Sequence, residues 1–190
     1  MARHTEKAIL TVFEEMLEEM PFDKITVLEL TKRCDISPNT FYYHYADIYE
    51  LLEYWFNAKT KDFLASRPKG EGWECTLKAT FMTFTEHPDL VYNIYESLSR
   101  ENLERYVFSS AEGAFLNLAR EKTKGTSIDE ETLTTISDIC CYAIIGLFLK
   151  FLWSRMSMNI EKSINQISRV INAAIELYMT NALMGINIFE

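Results

Sequence analysis

FDKITVLELTKRCDISPNTFYYHYADIYELLEYW, residues 22–55, sets three helix starts into one short run. Thr26 is an N-cap residue and Glu29 follows three positions on. In such a capping box, side-chain oxygens take up N–H groups that the first turn leaves unpaired. Val27, Leu28 and Leu30 then offer a buried face to a short helix ending near Cys34, and Asp35-Ile36 leaves room only for a turn. Ser37 is a second cap, with Pro38 at the first helical position, where its missing N–H costs nothing. That opens a helix to His44. Asp47, with Glu50 behind it, opens a third, which Leu51, Leu52, Trp55, Phe56 and Phe63 carry from Ile48 to about Ser66.

Two short helices joined by a turn of a few residues form a helix-turn-helix. The second helix of that motif enters the major groove of DNA with its N-terminal residues toward the base edges. Pro38, Asn39, Thr40 and Tyr43 fall at those positions. An asparagine pairs bidentately with adenine, and threonine or proline touches a thymine methyl. Tyr42, His44 and Lys32 suit backbone phosphates, which position a protein without reading sequence. Thr26, at a helix N-terminus, suits a phosphate as well. Phe41 and Tyr45, four apart, pin the helix to its support.

A net charge of −9 stands against DNA binding at first sight, since a basic patch is the usual footprint. The placement of charge answers this. Glu14, Glu15, Glu18 and Glu19 lie at the far end of a first helix, whereas Arg3, His4, Lys7, Lys24, Lys32 and Arg33 lie toward the reading side. Binding through such a local rim is steeply salt-sensitive. Thr5 is expected to cap that first helix, which runs to about Glu19 with Ile9, Val12, Phe13, Met16 and Leu17 on one face.

The motifs Ile25-Thr26-Val27, Asp35-Ile36-Ser37 and Thr40-Phe41-Tyr42-Tyr43-His44-Tyr45, followed by Leu51-Leu52, resemble the DNA-binding head of the tetracycline-repressor-like (TetR) family of regulators. The resemblance covers roughly residues 5 to 56, and the run from Phe41 to Leu52 is similar to the branch that regulates dihydroxyacetone kinase operons. Two positions depart from the family. Asp35 stands where a glycine is usual, and aspartate tolerates a left-handed backbone better than most residues. Ile48 stands where a phosphate-touching lysine is common. The resemblance implies a dimer on a palindromic operator, an unidentified small-molecule effector in the body, and repression relieved by ligand. A DNA-binding coactivator that works through a partner protein is the alternative.

The 190 residues suit a small head and a larger body, and six Gly and four Pro favour helices over a strand-rich fold. The expectation is an all-α chain: a three-helix head over residues 1–47, and a helical linker with a ligand-binding and dimerisation bundle over residues 48–190. The loop-like segment at 67–72 precedes a body starting near Trp73, with helices at about 73–87, 88–98, 101–122, 127–156 and 160–184. Ser127 with Glu130 reads as a capping box, and Gly185 as a C-cap. The helix at 127–156 is apolar nearly all round, so it needs cover on more than one side. A second copy packing both long helices would supply it, through Ala143, Leu147, Ile167, Ile171, Ala174 and Tyr178. The plain alternative is an ordinary monomer core. Trp73, Phe81, Phe84, Tyr92, Tyr95 and Phe115 are candidates to line an apolar effector pocket, although each taken singly suits a core.

Other chemistries find little support. Cys34, Cys75, Cys140 and Cys141 show no C-x-x-C spacing and read as reduced thiols of a cytosolic chain. His87, at a helix end before Pro88, reads as a structural terminus. H-E-x-x-H, G-x-S-x-G, P-loop and dinucleotide-binding patterns are missing, so no enzyme, metal or cofactor is expected. The polar N-terminus carries no signal segment, and the apolar run at 139–149 is too short to span a bilayer, which points to a cytoplasmic protein without a membrane partner.

Overall fold

A computed structural model describes residues 2–68, 71–125 and 128–183. They form α1 (Ala2–Glu19), a 3-10 turn (Phe22–Lys24), α2 (Val27–Arg33), α3 (Pro38–His44), α4 (Ile48–Ser66), α5 (Trp73–Glu86), α6 (Pro88–Tyr95), α7 (Arg100–Lys122), α8 (Glu130–Trp153) and α9 (Ile160–Leu183). No strand occurs among the described residues. The chain divides into two compact units, residues 1–69 with 82–106, and residues 70–81 with 107–190.

The first unit is built on the apolar face of α1. Ile9, Phe13, Met16 and Leu17 are fully buried there, against Phe22, Leu30, Phe41, Leu51, Leu52 and Trp55. Leu90 of α6 and Tyr106 of α7 complete the same core, so the unit reaches well past residue 47. Phe13 meets Phe22 and Trp55 edge-on at 6.3 and 6.4 Å, an arrangement that aromatic quadrupoles favour. The Asn93 side-chain amide donates to the Leu17 carbonyl (2.9 Å), and the His87 imidazole lies 3.2 Å from the Glu18 carboxylate, fastening α6 to the C-terminal end of α1.

In the second unit α8 packs on α9. Cys140, Cys141 and Ile144 of α8, Phe115 of α7 and Ile171 of α9 form one cluster, flanked by Trp73 and Leu77 of α5. Phe81 is buried against Phe151 at 5.0 Å. By length and composition α8 is apolar enough to cross a membrane, contrary to the reading of the shorter run at 139–149, but 56% of its most apolar window is buried in the protein. Both long helices begin on a side-chain cap: Asp129 Oδ1 accepts from the Thr132 N–H (2.8 Å) and Asn159 Oδ1 from the Lys162 N–H (2.9 Å).

Several expected helix ends move. The first helix already includes Ala2, so Thr5 lies inside it and is not its cap. Asp129, rather than Ser127, starts α8; Ser127, like Gly185, lies outside the described residues. α6 stops at Tyr95 and α8 at Trp153. The end of α8 is sharp because Arg155 and Met156 both take positive φ (53° and 58°), and their N–H groups return to the carbonyls of Leu152 and Phe151, both at 2.9 Å. That is a Schellman closure of the helix end, made without glycine.

Candidate nucleic-acid interface

The head presents α3 because of what its ends and its inner face do. Ser37 Oγ accepts the Thr40 N–H (3.2 Å) and sits 2.9 Å from the Thr40 hydroxyl, closing the first turn. Before it, Asp35 has φ 53°, with its N–H on the Lys32 carbonyl (3.3 Å) and the Ile36 N–H on the Thr31 carbonyl (3.0 Å). This is again a Schellman closure, now with aspartate in the left-handed place where the resemblance leads one to expect glycine. It ends α2 and re-aims the chain within two residues. Phe41 is fully buried and Tyr45 nearly so, their rings 5.6 Å apart, which anchors α3 from beneath.

The other side of α3 faces solvent. Pro38 and Asn39 are exposed, Thr40 and His44 half-buried, Tyr42 56% exposed and Tyr43 81%. The DNA-facing residues expected on α3 therefore divide cleanly from the anchoring ones. Thr26 Oγ1 accepts the Glu29 N–H (3.2 Å), and this leaves its own O–H free to donate outward. Lys32 is exposed on α2, with no ion partner among the described residues.

The basic rim is thinner than its residue count implies. Arg33 is held by Glu19 at 2.7 Å and Glu29 at 3.5 Å, and the Glu19 hydrogen bond, with both carboxylate charges, raises its pKa. Lys24 pairs with its neighbour Asp23 at 3.0 Å. Lys7 and Lys32 are left as exposed cations of the rim, while the side chains of Arg3 and His4 lie outside the described residues. Leu28 was expected inside, yet it is 72% exposed on α2. The short helix buries Leu30 and half-buries Val27, and its hundred-degree step carries Leu28 outward. Ile48, the departure from lysine, is half-buried against the head core. Tyr45 keeps a buried hydroxyl without a hydrogen-bond partner; burial, reinforced by the charge of Glu6, drives its pKa upward.

The remaining candidate residues separate. Of the aromatics considered for a pocket, Trp73, Phe81 and Phe115 belong to the second unit and Phe84, Tyr92 and Tyr95 to the first. Trp73 meets Phe115 at 5.7 Å and Tyr92 meets Tyr95 at 6.5 Å, while Phe81 is core. An open depression of about 390 Å³ on α9, lined by Asn159, Glu161, Lys162, Asn165, Gln166 and Arg169, is polar and shares none of them. Of the residues expected to meet a second copy, Leu147 and Ile171 are buried in the chain's own core. Ala143 and Ile167 are half-buried and Ala174 is exposed, while the Tyr178 side chain lies outside the described residues. The exposed apolar stripe runs instead through Ile139, Tyr142, Gly146 and Trp153 on α8, and Val170, Ala173, Ala174 and Leu177 on α9.

Comparison with known proteins fits this architecture. A TetR-type family profile described as "Transcriptional regulator C-terminal region" matches residues 71–173, a little over half of the chain. No curated protein matches the sequence. Among solved structures, the dihydroxyacetone kinase operon activator DhaS is similar in fold, with TM-score 0.64 and 19% identity over 91% of this chain and 97% of that one. NalD of Pseudomonas aeruginosa, described as the secondary repressor of the MexAB-OprM multidrug efflux pump, gives TM-score 0.58 and 16% identity over 91% and 97%. A tetR-family transcriptional regulator from Streptomyces coelicolor gives 0.60 and 12% over 95% and 85%.

Proposed function

Since this chain belongs to the TetR family of transcriptional regulators, we propose that it acts as a homodimeric repressor on a palindromic operator and leaves DNA when a small molecule binds its body. The observation that carries the reading is the two-sidedness of α3: Phe41 buried, Asn39, Tyr42 and Tyr43 exposed. Asn39, Thr40 and Tyr43 read base edges, Pro38 meets a thymine methyl, and Tyr42, His44, Lys32 and the Thr26 hydroxyl hold phosphates. The exposed stripe from Ile139 to Trp153, beside Val170 and Leu177 on α9, supports self-association, because an apolar face of that length is stable when a second copy covers it. Two heads on one dimer reach half-sites about one helical turn, roughly 34–36 Å, apart. An effector that prefers a different head spacing lowers DNA affinity by its differential affinity for the two states. Acting on DNA, the protein works in the cytoplasm.

A second reading, activation with the help of a partner protein, is favoured by Ile48. An apolar residue in the place of a phosphate-touching lysine leaves each head one charge contact short. One neighbour in fold is itself named an operon activator.

The test is selection of bound duplexes from a random pool, followed by affinity on the selected site at two salt concentrations. The expected result is a palindrome with steep salt dependence. Absence of any enriched site at low salt overturns the reading, and capture of a partner protein then becomes the informative experiment.

A further inference from the structure

We infer that Leu28, on the outward face of α2, is a further base-reading residue, which packs against the C5-methyl group of a thymine in each half-site. This rests on the regulator reading above and adds a specificity-determining side chain to the same surface.

Leu28 is 72% exposed, and its neighbours on α2 show which way it faces. Leu30 and Thr31 are buried, while Val27 and Cys34 pack against the head core. Glu29 and Arg33, one turn apart, turn toward Glu19 of α1, where Arg33 holds both carboxylates. Leu28 and Lys32, four positions apart and both exposed, make up the remaining face. That face runs on to the turn at Asp35, whose N–H donates to the Lys32 carbonyl (3.3 Å), and so to the start of α3. The backbone under Leu28 is fixed. The buried Thr31 hydroxyl donates to the Leu28 carbonyl at 3.1 Å, and the next N–H, that of Glu29, is held by Thr26 Oγ1. A side chain presented from a fixed backbone has less freedom to lose on contact.

Charge indicates which flank of α3 a duplex favours. Before α3 stand Lys32, exposed on α2, and the Thr26 hydroxyl, whose proton is free because its oxygen accepts the Glu29 N–H. After α3 stand the exposed carboxylates Asp47 and Glu50, with the apolar Ile48 between them. Asp47 Oδ1 accepts the N–H groups of Tyr49 (2.8 Å) and Glu50 (2.9 Å), and the Glu50 carboxylate accepts that of Ala46. The start of α4 thus turns negative charge outward and has these N–H groups already engaged, so a polyanion is drawn to the α2 side. Leu28 lies there between two groups suited to phosphate, two residues after Thr26 and four before Lys32. Its own side chain offers a phosphate nothing. The apolar group that a duplex displays in its major groove is the thymine C5-methyl, and a leucine on the face continuous with the reading helix is matched to it. A lone exposed leucine is ordinary on a protein surface; the position of this one, between phosphate-holding groups, gives it a partner.

The experiment replaces each thymine of the selected duplex by deoxyuridine, symmetrically in both half-sites, a change that removes only the methyl group. Affinity is measured for the full chain and for its Leu28→Ala variant. For the full chain, about a fourfold loss per half-site is expected at the thymine that meets Leu28, the effect of returning one buried methyl group to water. Leu28→Ala is expected to bind the unmodified duplex more weakly by a similar factor and to be indifferent to deoxyuridine at that position. It keeps its sensitivity at any thymine that Pro38 meets. Since residue 28 is exposed, thermal unfolding of the variant should match the parent's. Parent affinity with the parent's whole pattern of deoxyuridine sensitivity overturns the inference. So does an equal loss on every duplex, random sequence included, which assigns Leu28 to the sugar–phosphate backbone. A selected duplex whose deoxyuridine scan is flat sinks this inference and spares the regulator, whereas failure to select any duplex overturns the regulator itself.

Discussion

The two units expose large side chains for different ends. In the head, the exposed aromatics of α3 are tyrosines, Tyr42 and Tyr43, each with a hydroxyl that can meet a phosphate or a base. In the second unit the exposed large side chains include Ile139, Val170 and Leu177, which have nothing to offer a polar partner. The head closes the α1 face with Phe41, Leu51, Leu52 and Trp55, although Leu28 stays exposed on α2. In the second unit α8 buries Cys141, Ile144 and Phe151 yet leaves Ile139 at 61% and Trp153 at 69%. A surface that looks equally aromatic or apolar in a residue count thus divides into one that carries tyrosine hydroxyls on α3 and one that is mainly apolar.

That contrast can be broken in order of effect. Phe41→Ala removes the anchor of α3 from a fully buried site, with an expected loss of about 3–5 kcal/mol in urea unfolding. A loss below 1 kcal/mol would mean that the head core does not hold α3. Ile139→Glu should leave the fold intact and weaken self-association by about 30-fold or more in sedimentation, the effect of a central contact of about 2 kcal/mol. An unchanged association constant would take the α8 stripe out of the interface. Asn39→Ala should cost about 1–3 kcal/mol at one base pair of the selected site and little elsewhere. A site preference identical to the parent's removes Asn39 as a reader. Tyr42→Phe should cost about 0.5–1.5 kcal/mol on every duplex alike, random sequence included, as the loss of one phosphate hydrogen bond. Smallest is Asp35→Gly. It relieves a left-handed aspartate at the entropy cost of a glycine, a net gain of about 0.5–1 kcal/mol in stability with DNA preference unchanged.

How far the sequence could be read depended on how local the signal was. Thr26, Ser37 and Asp47 each cap the helix expected of them, because a cap is settled within four residues. The left-handed turn at Asp35 follows from the resemblance, which has a glycine at that place. Thr5 misled because a capping residue is also tolerated within a helix, and α1 simply continues to Ala2. The face of α8 was not legible. A helix apolar on every side carries no phase, so its pattern does not separate Leu147, which is buried, from Tyr142, which is 64% exposed. The candidate pocket aromatics show how little composition says here: Trp73 and Tyr95 look alike in the sequence, and they fall in different units. Glu74 and Ser168 could not have been joined from the sequence, since the hydrogen bond between them bridges 94 positions.

The way the first unit draws on its chain bears on how this regulator can be re-engineered. Its core includes Leu90 and Tyr106, and the Asn93 amide holds the Leu17 carbonyl, so residues 82–106 belong to the head although they follow the first helical turns of the body. A chimaera cut after residue 47, or after residue 69, would hand another body a head missing part of its own interior. A transplant meant to carry this head onto a different body has to bring α6 and the start of α7 with it, as two inserts rather than one.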